Sequence, residues 1–338
     1  METLNTLSWQ MYEFLRRMEG DWHQRFAETA DPVGAAEAFG RDWKPTATDQ
    51  LDALFAAMSE QMDLLPTEEL RRQEAGVRML LHPWFLLSPF CRRVVDWPLG
   101  YPGDYRAVEM VFAGREAATT PIGNVLGNYT LGTGPCEAHR GRAGWAHARI
   151  DEWLVQSGTK RPHILSFACG PEVVLRRWVQ AGGVADITLA DHDTHALSHA
   201  GRQLWKVIRG RGNASTVRGV EANALHMPGG DALTLLGADR PYDVVTVLGL
   251  LDYLDDAQCV AFLGSLCSAL RPGGLLLVSN VSGPNRWRAL MELVGGWRVV
   301  HRSPDRFLEV LGRTERLADL DLTVHSSGTN VYVSGIRS

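Results

Sequence analysis

Apolar residues recur along this chain with two different periods. Near the N-terminus they follow a helix: Leu7, Met11, Phe14, Leu15, Met18 and Trp22 stand three and four apart, as do Leu51, Leu54, Phe55, Met58 and Met62. Each segment therefore presents one face for burial. Pro32, Pro45, Pro66, Pro83 and Pro89 are expected to break residues 1–95 into several helices. Between Trp97 and Arg142 turn residues mix with aromatics, as in GYPGDY and TTPIGNVLGNYTLGTGP. That composition predicts loops, with too many large side chains for a linker, and suggests a cover over a pocket. From Trp145 the pattern becomes regular. An amphipathic helix through Ile150, Trp153 and Leu154 leads into apolar runs at 163–167, 187–190, 215–219, 243–248 and 275–279, with helices starting near Glu172, Thr194, Gly230, Asp256 and Pro284. Runs such as VVTVL and LLLVS lack polar alternation, as strands of a parallel sheet covered on both faces do. Trp297–His301 and Asn330–Ile336 frame a helix at Asp305–Leu311 and are expected to form an antiparallel hairpin at the sheet edge.

At 338 residues the chain exceeds one ordinary α/β domain. The expected division is a helical cover over residues 1–144 and an α/β domain over 145–338. Hydrophobic residues at 45% and charged residues at 22% describe a globular chain, and a net charge of −5 argues against non-specific nucleic-acid binding. The N-terminus lacks the basic, apolar and small-residue order of a signal peptide, and no apolar run is long enough to span a bilayer. A cytoplasmic protein is the expectation. Cys91, Cys136, Cys169, Cys259 and Cys267 show neither CxxC nor Cys/His metal spacing, so reduced thiols and no metal are expected.

The strongest chemical signal is HILSFACGPEVVLRRW at 163–178, followed by ITLADHD. An apolar run that ends in a small-residue turn and opens into a helix, with an acid closing the next run, suits an adenosine nucleoside lying against backbone. Ala168, Cys169 and Gly170 supply the turn, and Asp191 is placed to accept bonds from both ribose hydroxyls. A dinucleotide fits poorly: ACGPEV has one glycine where GxGxxG has three, and Glu172 would repel a phosphate. A nucleoside bearing a cation, S-adenosylmethionine (SAM), is therefore expected. Cys169 reads as a small turn residue, since no basic neighbour adjoins it to make it a nucleophile.

Residues 145–338 resemble the class I SAM-dependent methyltransferases in element order, in FACGPE, Asp191, ANAL at 222–225 and YDVVTVLGLLDYL, and above all in LRPGGLLLVS. The resemblance implies an α/β, Rossmann-like sheet of seven mostly parallel strands with the last reversed, beneath the N-terminal helical cover. It implies cofactor contacts at Ala168, Cys169, Gly170, Asp191, His192, Asn223, Ala224, Leu248 and Tyr253. Ala168 stands where glycine is commoner. Asn223 stands where an acid often faces the adenine amine, and its amide oxygen keeps an acceptor there. Residues 97–153, with GYPGDYRAVEM, an Asn-Tyr pair and HARIDEWL, are similar to a bacterial group of hydroxy-fatty-acid methyl ester biosynthesis proteins and SAM-cyclising azetidine-2-carboxylate synthases.

Because the sulfonium is already activated, such a protein must hold a nucleophile in line, remove a proton where necessary and exclude water. Trp97, Tyr101, Tyr105, Tyr129 and Tyr253 are candidates to line the cation, or else simply pack the cover. Tyr105 and Tyr129 are also candidate catalytic residues through their hydroxyls. Candidate bases are Asp252 after the fourth strand, His139, His192 and Asp104. His139 sits beside Arg140 and Arg142, which depress its pKa and equally suit a solvated loop. Asp104 in PGDY also reads as a turn or helix cap. Arg106, Arg140 and Arg142 either bind a carboxylate or are solvated. Tyr101, Asp104, Arg106 and Asn128 are the expected substrate or lid residues.

Methyl transfer to a small molecule, a lipid-like or natural-product carboxylate or hydroxyl, is the expected function. The alternative is attack of SAM's own amine on its γ-carbon, giving azetidine-2-carboxylate and methylthioadenosine; a non-catalytic SAM-binding module is a third reading. No NPPY-like base-binding tetrapeptide follows the fourth strand, where GLLDY stands, so no nucleic-acid partner is expected.

Overall fold

The helical periodicity at the N-terminus produces three long helices, α1 (Leu4–Phe26), α2 (Pro32–Leu64) and α3 (Thr67–Phe85), and a short α4 (Pro89–Asp96). This computed structural model describes residues 3–26 and 30–338. Pro32, Pro66 and Pro89 stand at helix boundaries, but Pro45 and Pro83 lie inside α2 and α3 rather than breaking them. An internal proline costs about 3 kcal/mol. Around Pro45 the buried row Ala47, Leu51, Phe55, Met58 and Met62 outweighs that cost at roughly 1.5–3 kcal/mol for each large side chain.

The segment expected to be loops is helical instead: α5 (Tyr105–Ala113), α6 (Pro121–Gly132) and the start of α7 (Gly134–Ser157). Asp104 caps α5, accepting from the Arg106 and Ala107 amides, and Thr120 caps α6 through the Gly123 amide with Pro121 in the first turn. Gly123 and Gly127 of α6 are packing residues rather than turn residues. A Cβ on Gly123 would stand 2.6 Å from the Leu87 carbonyl oxygen, so only glycine lets that backbone approach.

These helices form one compact unit, Met1–Glu137 with Asn285–Arg298; Ala138–Pro284 with Val299–Ser338 forms the other. The expected boundary at 144/145 falls inside α7. The excursion 285–298 joins the first unit because Ala289, Leu290, Leu293 and Val294 share one apolar core with Leu81, Phe85 and Val94. Where a helix was expected from Pro284, the chain makes a π-helical turn at Leu290–Val294. The helix expected near Gly230 is the single turn α10 (Ala232–Leu235).

The second unit is an α/β sheet. Its strands are β1 (His163–Phe167), β2 (Asp186–Asp191), β3 (Thr216–Glu221), β4 (Tyr242–Leu248), β5 (Leu270–Val281), β6 (Leu317–Val324) and β7 (Asn330–Arg337), ordered 3-2-1-4-5-7-6. β1 to β5 pair in parallel, and β7 runs antiparallel between β5 and β6. The topology is Rossmann-like. Helices α8 (Val173–Gln180), α9 (Thr194–Gly210), α11 (Asp256–Ala269) and α12 (Pro304–Gly312) complete the unit. The expected strand at Trp297–His301 is irregular. The edge of β5 is taken by β7 from Leu275↔Ile336 to Val281↔Asn330, and the sheet's last strand is the weakly patterned LADLDLTV.

A methyl group added at Gly123 must displace backbone, whereas the exposed Gly20 in α1 has no atom within 4 Å of its would-be Cβ. Gly123→Ala is expected to destabilise by about 1–3 kcal/mol through overpacking, and Gly20→Ala to stabilise by about 0.5–1 kcal/mol. Urea unfolding followed by helical circular dichroism checks both signs.

Candidate functional site

Strand order reverses between β1 and β4: β1, β2 and β3 step outward one way, β4 and β5 the other. The helices that follow these strands diverge, and a crevice opens outside their carboxyl ends. The turn after β1 is tightly wound, with Ala168 (φ 52°), Gly170 (φ 51°) and Glu172 (φ 44°) all left-handed. Glu172 is buried and caps α8, its Oε1 accepting from the Leu175 amide at 2.8 Å.

Asp191 closes β2 and ties two turns together. Its Oδ2 accepts from the Gly170 amide at 2.9 Å and its Oδ1 from the Asp193 amide at 3.0 Å. A carboxylate has about four acceptor sites, of which these two amides take two. The half-exposed His192 ring lies 3.3 Å from the same carboxylate, whose hydrogen bond and charge raise the imidazole pKa. After β3, Asn223 caps the 3₁₀ turn Ala224–His226 by accepting from the Leu225 amide at 2.9 Å. The amide oxygen expected to face an adenine is thus engaged in its own turn. The Cys169 thiol is pushed well up by burial and by the Asp191 and Glu172 charges, which keeps it protonated.

The loop after β4 holds the least expected feature. Leu248 ends the strand half-buried, Gly249 follows at φ 95°, and Leu251–Tyr253 form a 3₁₀ turn that leaves Tyr253 exposed. A Cβ on Gly249 would stand 2.5 Å from Nη1 of Arg142, so glycine makes room for that guanidinium. Arg142 is buried on α7. Burial lowers its pKa to about 10, against the opposing charges of Asp252 and Glu172. Asp252 is also buried; desolvation lifts it to about 6 even though it accepts from the Val281 amide and feels Arg142 and Arg302. Burial likewise raises Glu172. Arg142 and two carboxyls therefore share a desolvated neighbourhood, with Arg302 also acting on Asp252, and two atoms, Nε of Arg142 and Oε2 of Glu172, have no hydrogen-bond partner among the described residues.

Arg302 holds this loop in place. Its side chain is 1% exposed and donates to the Leu251 carbonyl at 2.9 Å, Asn280 Oδ1 at 2.7 Å, the Leu254 carbonyl at 2.6 Å and Asp256 Oδ1 at 2.8 Å. The Val300 amide donates to the Asp252 carbonyl at 2.7 Å, which fixes the irregular segment that replaced the expected strand. Tyr332 on β7 donates to the Ala138 carbonyl at 2.6 Å and anchors the turn of α7 that carries His139 and Arg142. These basic residues lie on a helix and not on a solvated loop. His139 is partly buried, and desolvation with Arg142 and Arg140 holds its pKa well below the usual imidazole range. Nothing in HRSPD marks Arg302 as structural, and GLL gave no warning of the Arg142 contact.

The remaining sequence candidates lie in the helical unit. Asp104 is a cap and pairs with Arg93 at 2.9 Å. Tyr105 is buried at the start of α5 with the Arg106 guanidinium 5.4 Å from its ring centroid, and Tyr101 lies half-buried just before it. Trp97 ends α4 in the left-handed region, 39% exposed. Asn128 braces the backbone of Glu116, accepting from its amide and donating to its carbonyl, both at 3.1 Å. Tyr129 donates to Asp52 at 2.9 Å; burial and that charge push its hydroxyl pKa far up, so it is a fixed donor and no base. Among the described residues, no three His, Cys, Asp or Glu side chains are grouped as metal ligands, and no helix is long and apolar enough to cross a membrane.

The sequence matches no protein-family model, and no curated protein matches it either. Solved structures do resemble it. A possible exported protein from Bordetella parapertussis is 17% identical with a TM-score of 0.52, covering 69% of this chain and 79% of that one. The CurJ carbon methyltransferase is 11% identical with a TM-score of 0.51, covering 92% and 72%. At these identities the likeness is one of fold.

The Asp252 carboxyl titrates at about 6 in the folded chain against 3.8 in the open one, so the native state binds the extra proton between these values. Its contribution to stability therefore falls as pH rises through that window, by up to about 3 kcal/mol. Asp252→Asn lacks the group. The stability of the original chain minus that of the variant should shrink from pH 4 to pH 7 in urea unfolding; a constant difference would show an unshifted carboxyl.

Proposed function

We propose that the crevice at the carboxyl rim of β1, β2 and β4 binds SAM, and that the protein transfers its methyl group to a small-molecule acceptor. The observation that carries this reading is the buried pair of unpartnered atoms beside the β1 turn, Arg142 Nε and Glu172 Oε2. Buried polar atoms are nearly always bonded, so an opposed orphan donor and acceptor suit a zwitterion. The α-amino-acid end of SAM has that chemistry, its carboxylate suited to Arg142 and its ammonium to Glu172 and Asp252. The acceptor capacity left on Asp191 beyond the two amides and His192 suits a ribose hydroxyl. A carbon methyltransferase shares the fold, and the acidic balance with GLLDY in place of a base-binding tetrapeptide favours a small acceptor over nucleic acid.

Bound SAM supplies a methyl group on a positively charged sulfur. The chain's own part is positional and electrostatic. Arg302 and Gly249 set the loop so that Asp252 is held by backbone bonds, and the left-handed turn 168–172 brings backbone close to a ligand. Above pH 6 the Asp252 carboxylate is ionised and able to take a proton from an acceptor hydroxyl; an acceptor carboxylate needs no base.

Incubation with SAM alone is expected to give no turnover, and S-adenosylhomocysteine should appear only with an acceptor, as followed by mass spectrometry. Methylthioadenosine formed from SAM alone would replace methyl transfer with cyclisation. Binding with no turnover across acceptors would leave a non-catalytic module. Glu172→Gln keeps the cap on α8 but loses the charge, and Asp191→Asn keeps one acceptor. Each should weaken SAM binding about tenfold by calorimetry, the loss of a charged hydrogen bond; unaltered affinity in both would place the ligand elsewhere.

A further inference from the structure

Between Thr194 and Val220 the chain holds no Asp or Glu, although its net charge is −5. The run begins with α9, whose Ala196, Ala200, Leu204 and Ile208 are buried. The opposite side of the helix is left to water, and it carries Arg202, Trp205, Lys206 and Arg209, all exposed. Arg211, at the helix end, is exposed as well. None of these four cations makes an ion pair among the described residues. Trp205 stands among them 50% exposed, with the Arg209 guanidinium 4.8 Å from its ring centroid.

The neighbouring acids are engaged or stand at the ends of the run. Asp193 caps α9 and lies 3.5 Å from His195, and Glu221 closes β3. Asp186, at the start of β2, is bonded by Arg161 at 2.7 Å and Arg240 at 3.3 Å. The adjacent helix α8 adds Arg176 and Arg177 and no acid, and Asp151 accepts its Trp178 indole at 2.8 Å. Arg218 of β3 is turned to the Leu236 carbonyl and the Tyr242 hydroxyl. The cations of α9 thus form a stripe with no countercharge paired to it among the described residues.

The spacing of that stripe selects the shape of its partner. Arg202, Lys206 and Arg209 are four and three residues apart, so they rise by about 6 and 4.5 Å along one line. A second helix laid alongside repeats those rises when its own acids are three and four apart, whereas alternate residues of an extended chain are about 6.6–6.8 Å apart. A helix lying in a membrane turns its apolar face to the lipid, and here that face is buried. Single-stranded nucleic acid is held in a basic groove, and this is one convex helix face.

We infer that the exposed face of α9 docks an acidic helix of a protein partner, its carboxylates against Arg202, Lys206 and Arg209 and an apolar residue on Trp205. The inference does not depend on SAM binding. The test measures, by fluorescence anisotropy, binding of the full-length chain to a labelled alanine-based helical peptide whose glutamates and one leucine share a face at spacings of three and four. An isomer of the same composition, with those residues dispersed round the helix, is the control. The one-faced peptide should bind at least about fivefold more tightly than its isomer and be released near ~1 M sodium chloride, where charges are screened within about 3 Å. Arg202→Gln with Arg209→Gln should weaken it about tenfold, and Trp205→Ala about fivefold. These positions are exposed, so both variants should keep the circular dichroism and the SAM affinity of the original chain. Equal binding of the two peptides or none, affinity unaltered in the variants, or tighter binding of poly-uridine or of phosphatidylserine vesicles would overturn the inference.

Discussion

A parallel sheet delivers all its strand ends to one rim, and the second unit is organised around that constraint. With β1 and β4 adjacent at the point of reversal, the β1 turn, Asp191 and the loop after β4 arrive at one crevice although they lie far apart in the chain. Each then needs its own local lock. Asp191 locks the first two turns to each other through the Gly170 and Asp193 amides. Arg302 locks the third, spending its donors on two loop carbonyls, an asparagine and an aspartate.

Burial makes the charges at this rim consequential. An ion moved out of water costs several kcal/mol unless it is paired and bonded. Arg142, Glu172 and Asp252 are only partly compensated: desolvation dominates the pKa shift of each, lowering the guanidinium and raising both carboxyls. Such an arrangement is expensive as scaffolding and reasonable as a receptor for a charged ligand. Gly249 exists in this context as the absence of a side chain, the space through which the guanidinium reaches the loop.

The helical unit follows a different logic. Its core is large and apolar, with aromatic contacts such as Trp22 against Phe39 and Phe55 against Tyr129. That surplus of buried area lets α2 carry a proline and α6 its glycines, since propensity penalties near 1–3 kcal/mol are small beside it. The same close packing has Asp52 oriented by two neutral donors, Tyr129 and Trp287, with Arg286 at 3.8 Å.

The sequence by itself determined the elements whose signal is local. Helical spacing marked α1 and α2, unbroken apolar runs marked β1, β4 and β5, and FACGPE with Asp191 marked the rim, because period, turn chemistry and caps act over a few residues. It misread the segment 97–142 as loops, since Gly123 in α6 answers to the Leu87 carbonyl packed against it. It also took Trp297–His301 for a strand, although the free edge of β5 goes to β7. Asp104 was legible as a cap, but the partnership of Arg142 with Gly249, Glu172 and Asp252 was not. Neither was the clamp made by Arg302, nor the grip of Tyr129 and Trp287 on Asp52. Those arrangements join residues far apart in the chain, and only the folded packing decides which charges lose their water and which neighbours they then find.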